Sequence, residues 1–362
     1  MTETRLHPTR LADLIAAILE HDGCATGEAR IVADHLVDAS MRGHDSHGVI
    51  RIMRYHQWLQ TGLLHANRPL KTILDSGAMI QLDGQSGMGQ RLATEATDLG
   101  IARAHEHGVA LVAMRQAGHI GRLGAYAEQA CRAGLVSIHF VNVASSRLVA
   151  PFGSSQRCMS TAPVAIGVPN AGGENFILDF ATSLVAEGKA LVASQGGKAL
   201  PEGALIGADG LPTTDPAALY GDSVSAGVPN PRDGPGALRA MGDHKGSGLA
   251  LACELLAGVL TGNGANDGQE RSFGNGLLSV LIQPERLDDQ QGFGRDVAAY
   301  LDYVNNATPA ADVERVQIPG DPERARHAAR TNGLPVPQTV ADGIARLATE
   351  LGLQDQLPGL AA

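Results

Sequence analysis

Aromatic residues are scarce in this 362-residue chain, which carries six Phe, five Tyr and one Trp against 45 glycines. Such a glycine excess permits many tight turns and close backbone approaches, the kind that small-ligand enzymes use. The glycines sit inside ordered-looking segments, with no repeat or low-complexity tract. Cysteine is nearly absent: Cys24, Cys131, Cys158 and Cys253 lie far apart without a CxxC pair. That spacing excludes a dense disulfide framework, and reduced, mostly buried thiols are expected. No apolar run approaches the roughly 18 to 20 residues that span a bilayer, and the opening MTETRLHPTR lacks the apolar stretch of a secretory signal. A cytoplasmic protein with no membrane partner is the expectation. Basic charge is short too, with 28 Lys and Arg against 38 Asp and Glu for a net charge of −10, so nucleic acid is not an expected partner. The remaining composition, 44% hydrophobic and 18% charged, is ordinarily globular. The length allows about two domains, and whole-chain disorder is excluded.

What is present reads first as a helical pair. Residues 11–22 place Leu11, Leu14, Ile15, Ile18 and Leu19 on one stripe, and Thr26 is placed to cap a second helix through Ile31, Val32, His35 and Leu36. From about 90 to 200 the pattern alternates: helix 90–107, strand 109–114, helix 122–133, strand 135–143, then shorter strands near 164–168 and 176–180. This is α/β, or α+β with a mixed sheet. The Gly- and Pro-rich stretch 196–236 reads as a long irregular excursion, and loops of that length tend to be functional. A helix at 245–261, a strand at 277–283, a helix at 293–305, a short strand at 315–318 and helices at 322–331 and 338–351 complete the chain. The first and last helices are expected to pack together.

The usual dinucleotide fingerprint is missing. GQSGMGQ (84–90) and GHIGRLG (118–124) have the wrong spacing or context for GxGxxG after a strand, which disfavours a Rossmann domain. Anions can still be held by other glycine turns and helix N-termini. Chemistry concentrates in RGHDSHGVIRIMRYHQW (42–58). There His44, Asp45 and His47 could ligate a metal. Ser46 and His47 could serve as nucleophile and base, although sequence neighbours seldom point at one another. His47 alone could exchange a proton with a hydroxyl or carbonyl oxygen. A helix-end histidine bonded only to backbone explains it equally simply. Arg51 and Tyr55 follow at four and eight residues, on His47's face if the segment is continuous helix. A guanidinium there suits bidentate capture of a carboxylate. His119 is a ligand contact or a turn residue. Asp179 with Thr182 and Ser183 ends a strand and begins a helix, where either hydroxyl is a plausible cap. Lys245 opens a helix, opposing the dipole, which favours a ligand anion there.

Together these motifs resemble the type 2 malate/L-lactate dehydrogenase family, the non-Rossmann NAD(P)-dependent oxidoreductases. The resembling segments are GHDSHGVIRIMRY (43–55), GMGQ (87–90), GHIGRLGAYAEQA (118–130), VAPFG (149–153), ILDFATSLVAEGK (177–189), DGLPTTDP (209–216), GDHKGSGLALACELLAGVLTG (242–262) and IPGDPE (318–323), in family order over nearly the entire chain. The hydroxycarboxylate dehydrogenase B branch, which reduces 2-oxo acids, looks closest. The resemblance implies a family-specific mixed sheet flanked by helices. It divides the chain into a helical segment 1–75 packing with 285–362 and a cofactor-binding domain 76–284. It also implies a homodimer with the active site near the subunit boundary. Carried over with it are His47 as acid/base and Ser46, Arg51, Tyr55 and His119 around a small carboxylate substrate. NAD or NADP would touch His47, Gly121, Arg122, Leu123, Asp179, Phe180, Ala181, Thr182, Ser183, His244, Asn275, Gly320, Asp321, Pro322 and Glu323, with Lys245 a further candidate. No metal is expected. Two departures stand out: Ser160-Thr161-Ala162-Pro163 replaces a common GTNP, and Gly118 stands where the branch often has histidine. Other activities in view are reduction of a cyclic imine 2-carboxylate, ureidoglycolate or sulfolactate oxidation, a metal-dependent hydrolase, and a non-catalytic binding module.

Overall fold

A computed structural model describes residues 3–194, 199–221, 230–269 and 272–362. In chain order the elements are β1 (Glu3–Leu6), α1 (Pro8–His21), α2 (Thr26–Met41), a 3-10 turn (Asp45–His47), α3 (Arg51–Gln60), β2 (Lys71–Ser76), β3 (Met79–Asp83), α4 (Gly89–His107), β4 (Val109–Ala117), α5 (Gly124–Arg132) and β5 (Val136–Ala144). There follow β6 (Val149–Ala150), β7 (Pro163–Val168), β8 (Phe176–Ala181), α6 (Glu187–Ser194), β9 (Leu205–Ile206), β10 (Pro212–Thr213), α7 (Ala217–Tyr220), β11 (Ala237–Arg239) and α8 (His244–Cys253). The last helix runs on as a π-helix (Glu254–Leu260), and β12 (Gly274–Ile282), α9 (Phe293–Asn305), α10 (Asp321–Arg330), β13 (Leu334–Pro337) and α11 (Gln338–Glu350) complete the chain.

The main sheet has seven strands in the order β2-β3-β4-β12-β5-β7-β8. Only β3 and β4 run parallel; the other neighbours are antiparallel. Strand periodicity divides the two faces. Val141, Leu277 and Leu281 join the core beneath α4 and α5, whereas Phe140 and Val164 pack with Leu249 and Cys253 of α8. A smaller sheet, β10-β9-β11-β6, has its own apolar cluster around Leu205, Leu219 and Leu238. A third core unites the two ends of the chain. The fully buried stripe Leu11, Leu14, Ile15, Ile18 and Leu19 of α1 packs in one cluster with Ile344 and Leu347 of α11, while β1 pairs antiparallel with β13.

Several expectations need correction. No strand forms at 315–318, where a bend at Arg315 is followed by residues without regular structure. Ala25, not Thr26, occupies the cap position of α2 and makes no side-chain cap bond. The excursion is not wholly irregular: it carries β9, β10 and α7, with 196–198 and 222–229 outside the described residues.

Candidate functional site

The chain leaves α2 through the turn that carries Ser46 and His47. Gly48 lets this turn close against α2, because a Cβ there would lie 1.9 Å from Ser40 Oγ. That same hydroxyl accepts the Val49 N–H at 3.1 Å. Within the turn, Ser46 Oγ stands 2.9 Å from His47 Nδ1. Sequence neighbours do meet here, contrary to expectation, within the 3-10 turn Asp45–His47. His47 is thus outside α3, and no continuous helix aligns it with Arg51. Arg51 instead turns back, its Nε donating to the Ser46 carbonyl at 2.6 Å. Its two terminal nitrogens make no hydrogen bond among the described residues. Tyr55 Oη lies 2.6 Å from His119 Nδ1, and the His119 ring stacks on His47 at 5.4 Å between centroids. All five residues expected around the substrate therefore converge.

Burial is the main influence on these groups. It pushes His47 down to about 3, with the Arg51 charge and then His44 adding to the effect. Burial, then Arg51 and His47, also holds His119 well below the usual histidine range. The Tyr55 phenol is pushed up by burial. At neutral pH both imidazoles are uncharged and Arg51 is the cation among them.

The residues expected to hold a dinucleotide fall into groups. One is the loop between β4 and α5. Ile120 N–H donates to Asn275 Oδ1 at 3.0 Å, Arg122 N–H to His35 Nε2 at 2.8 Å, and Gly124 N–H to Asp179 Oδ2 at 2.7 Å. Gly121 has φ +75°, and a Cβ on it would meet His35 Nε2 at 2.3 Å. The N–H groups of Gly121 and Leu123 make no hydrogen bond among the described residues. These are unpaired donors at the entry to α5, the chemistry an anionic or amide-bearing ligand needs, so the residues present fit a dinucleotide. Arg122 itself is buried, its NH2 bonded to Asp38 at 3.0 Å and Glu128 at 2.9 Å. Its guanidinium braces the loop rather than facing solvent.

Asp179 and Glu323 meet the same neighbourhood from β8 and α10. Burial raises Asp179 above the usual carboxylate range, while His44, Arg122 and the Gly124 N–H oppose that shift. Glu323 Oε1 lies 3.7 Å from His44 Nε2. Gly320 leads into α10, whose first turn holds Asp321, Pro322 and Glu323. Phe180 and Ala181 finish β8. Thr182 and Ser183 are not caps: α6 begins only at Glu187, and their hydroxyls donate to the carbonyls of Ala162 and Val185, both at 2.8 Å. His244 and Lys245 open α8, both exposed, with the His244 ring edge-on to Phe152 at 5.9 Å. Lys245 has no carboxylate within ion-pair distance among the described residues.

Sequence reasoning missed several residues here. Gln90, in the quoted GMGQ motif, donates to Tyr55 Oη at 2.6 Å. Arg54 lies over Trp58 at 5.9 Å, and Trp58 packs on Phe273 at 4.8 Å, forming a wall beside Tyr55. Arg232 has Glu187 as its opposite charge and Arg54 and Arg147 as like charges. Arg54 and Trp58 stood in the singled-out 42–58 segment and Gln90 in GMGQ; no local pattern marks Phe273 or Arg232. The Ser160–Ala162 departure rests on buried Glu254, which accepts from Ser160 Oγ at 3.0 Å and Asn142 Nδ2 at 2.7 Å.

The three residues of the possible metal set engage separate partners: His44 faces Glu323, Asp45 pairs with Arg330, and His47 meets Ser46. Among the described residues no three His, Cys, Asp or Glu side chains converge as ligands. A family model described as malate/L-lactate dehydrogenase matches residues 6–345. The chain is 35% identical to hydroxycarboxylate dehydrogenase B of Escherichia coli (strain K12), covering 97% of this chain and 96% of that one. It is also 35% identical to L-lactate dehydrogenase of Cupriavidus necator, over 89% and 90% of the two chains. The solved structure of sulfolactate dehydrogenase from Methanocaldococcus jannaschii superposes with a TM-score of 0.84 at 32% identity, covering 96% and 98%. With the motifs in order, the Ser46-His47 turn assembled and the match running nearly end to end, the chain belongs to the malate/L-lactate dehydrogenase family.

Proposed function

We propose that this protein interconverts a small 2-hydroxy acid and its 2-oxo acid, with His47 as the acid/base. The observation that carries the reading is the meeting of two uncharged imidazoles with one cation: His47 stacked on His119, and Arg51 bracing the turn with both terminal nitrogens available. A nicotinamide cofactor, NAD or NADP, supplies or accepts the hydride at the substrate's C2 when bound. Gly121, Leu123, Asp179, Glu323 and the first turn of α10 are the residues we assign to hold it, with His244 and Lys245 nearby in role. Arg51 binds the substrate carboxylate bidentately. In the oxidative direction uncharged His47 accepts the hydroxyl proton, its Nδ1–H donating to Ser46 so that Nε2 is free to accept. In reduction it returns that proton to the oxygen. A bound carboxylate offsets the Arg51 charge that depresses His47, easing its protonation when a proton is needed.

The free thiols of Cys24, Cys131, Cys158 and Cys253 support a reducing, cytoplasmic setting. Among the described residues no helix is long and apolar enough to cross a membrane. Exposed Leu251, Leu255, Val259 and Leu260 on α8 and its π-helical continuation support a homodimer. The deciding experiment is a panel of 2-oxo acids and cyclic imine 2-carboxylates assayed with NADH and NADPH at about 340 nm. Turnover of an oxo acid is expected. Turnover of imines alone moves the substrate class, and none with either cofactor overturns the reading.

A further inference from the structure

We propose that Gln90 is a positioning residue that, through Tyr55, fixes His119 in the tautomer with its hydrogen on Nε2, so that this nitrogen is the donor offered to the substrate oxygen. The inference rests on the reading above, in which His119 faces the substrate.

The argument is one of hydrogen count. Gln90, the second residue of α4, is fully buried, and its Nε2 donates to Tyr55 Oη at 2.6 Å. An amide nitrogen can only donate, so the phenol oxygen is the acceptor of that bond. The single phenol proton is then left for the other neighbour, His119 Nδ1, at 2.6 Å. A nitrogen that accepts carries no hydrogen, which places the hydrogen of the neutral ring on Nε2. Burial, with Arg51 and His47 beside it, keeps that ring uncharged at neutral pH. His119 Nε2 makes no hydrogen bond among the described residues, so the donor is unspent. Gln90 Oε1 likewise has no partner among them, and the amide contributes to the chain of bonds only through its nitrogen. Glutamate at this position could not donate when ionised, and an apolar residue would leave the phenol proton free to turn either way.

The test uses the full chain labelled with 15N-histidine, with His119 identified by comparison with His119→Gln. The expected spectrum at neutral pH shows His119 Nδ1 unprotonated and Nε2 protonated; a hydrogen on Nδ1 overturns the proposal. Kinetically, Gln90→Met and Tyr55→Phe should each lower kcat/KM for the 2-oxo acid about tenfold, the scale of one lost directional hydrogen bond. The double variant should match Tyr55→Phe alone, because Gln90 acts only through the phenol. Effects that multiply overturn the proposal. If Gln90→Met fails to fold, the spectrum of the unaltered protein still decides. Absence of any oxo-acid turnover counts against the proposed function instead, and leaves the tautomer readout standing.

Discussion

Arg330, on α10, pairs with the carboxylate of Asp45, 285 residues earlier, at 3.0 Å. The same guanidinium donates to the Ser40 carbonyl at the end of α2. A late helix thereby ties the end of α2 to the first residue of the turn that carries Ser46 and His47. The exposed ion pair contributes little by itself, so the brace on the Ser40 carbonyl matters more. Arg330→Ala should lower kcat about tenfold, the scale of one lost charge-assisted bond, with Asp45→Asn much milder. Steady-state kinetics on both variants check the order; equal effects would place the clamp at Asp45.

His47→Ala should lower kcat by about 10² to 10⁴ while affecting dinucleotide affinity less. The pH dependence has a definite sign. With His47 pushed down to about 3 in the free site, its proton-accepting form predominates across pH 5 to 8. The kcat/KM for hydroxy-acid oxidation should therefore be flat there as far as His47 is concerned. That for oxo-acid reduction should fall about tenfold per pH unit, because the protonated fraction does. A bell centred near neutrality would assign the proton to another group.

Arg232 has Arg54 and Arg147 as like-charged neighbours and only Glu187 opposing them. Arg232→Gln should raise KM for 2-oxo diacids about fivefold, roughly the 1 kcal/mol of a close charge pair in water, and leave monoacids nearly unchanged. Parallel KM measurements on a diacid and a monoacid of matched length decide it.

His139, on β5, is fully buried, with Nδ1 2.7 Å from Ser279 Oγ and Nε2 without a partner among the described residues. Burial pushes it down to about 3. Its folded value lies below the unfolded 6.5, so it has no effect on stability above that pH. As pH falls from 6.5 the unfolded chain takes up the proton first, and stability is lost down to about 3. At pH 5 this costs about 2 kcal/mol. His139→Gln, which cannot titrate, should flatten denaturant-derived stability between pH 7 and 5 by that amount. An unchanged slope removes His139 from the acid response.

Periodicity made much of the fold readable. The α1 stripe announced a buried helix, the apolar run of β5 a strand, and α9 occupies 293–305 as expected. What stayed hidden depends on distant partners. β1 exists because β13 is beside it, and the two- and three-residue strands of the small sheet are too short to carry a pattern. The same divide runs through the site. Arg51 and Tyr55 were visible by residue type within the dense 42–58 segment, although the helical spacing from His47 fails, and His119 by its motif. The Ser46–His47 contact lies in a short turn that the residues do not advertise. Gln90 gains its meaning only once α4 lies beside α3. Thr182 and Ser183 read as caps because their types favour that role, but the strand end hands their hydroxyls to nearby carbonyls first.

The wall of the pocket has an optical consequence. Trp58 is the only tryptophan in the chain, and it stands 6.0 Å from Tyr55 and 4.8 Å from Phe273, ring to ring. All indole emission therefore originates beside Tyr55, the partner of His119, in a band that overlaps the absorption of reduced nicotinamide. Ligand titrations and stopped-flow traces on the unlabelled protein will report this one place directly, with no second indole to subtract.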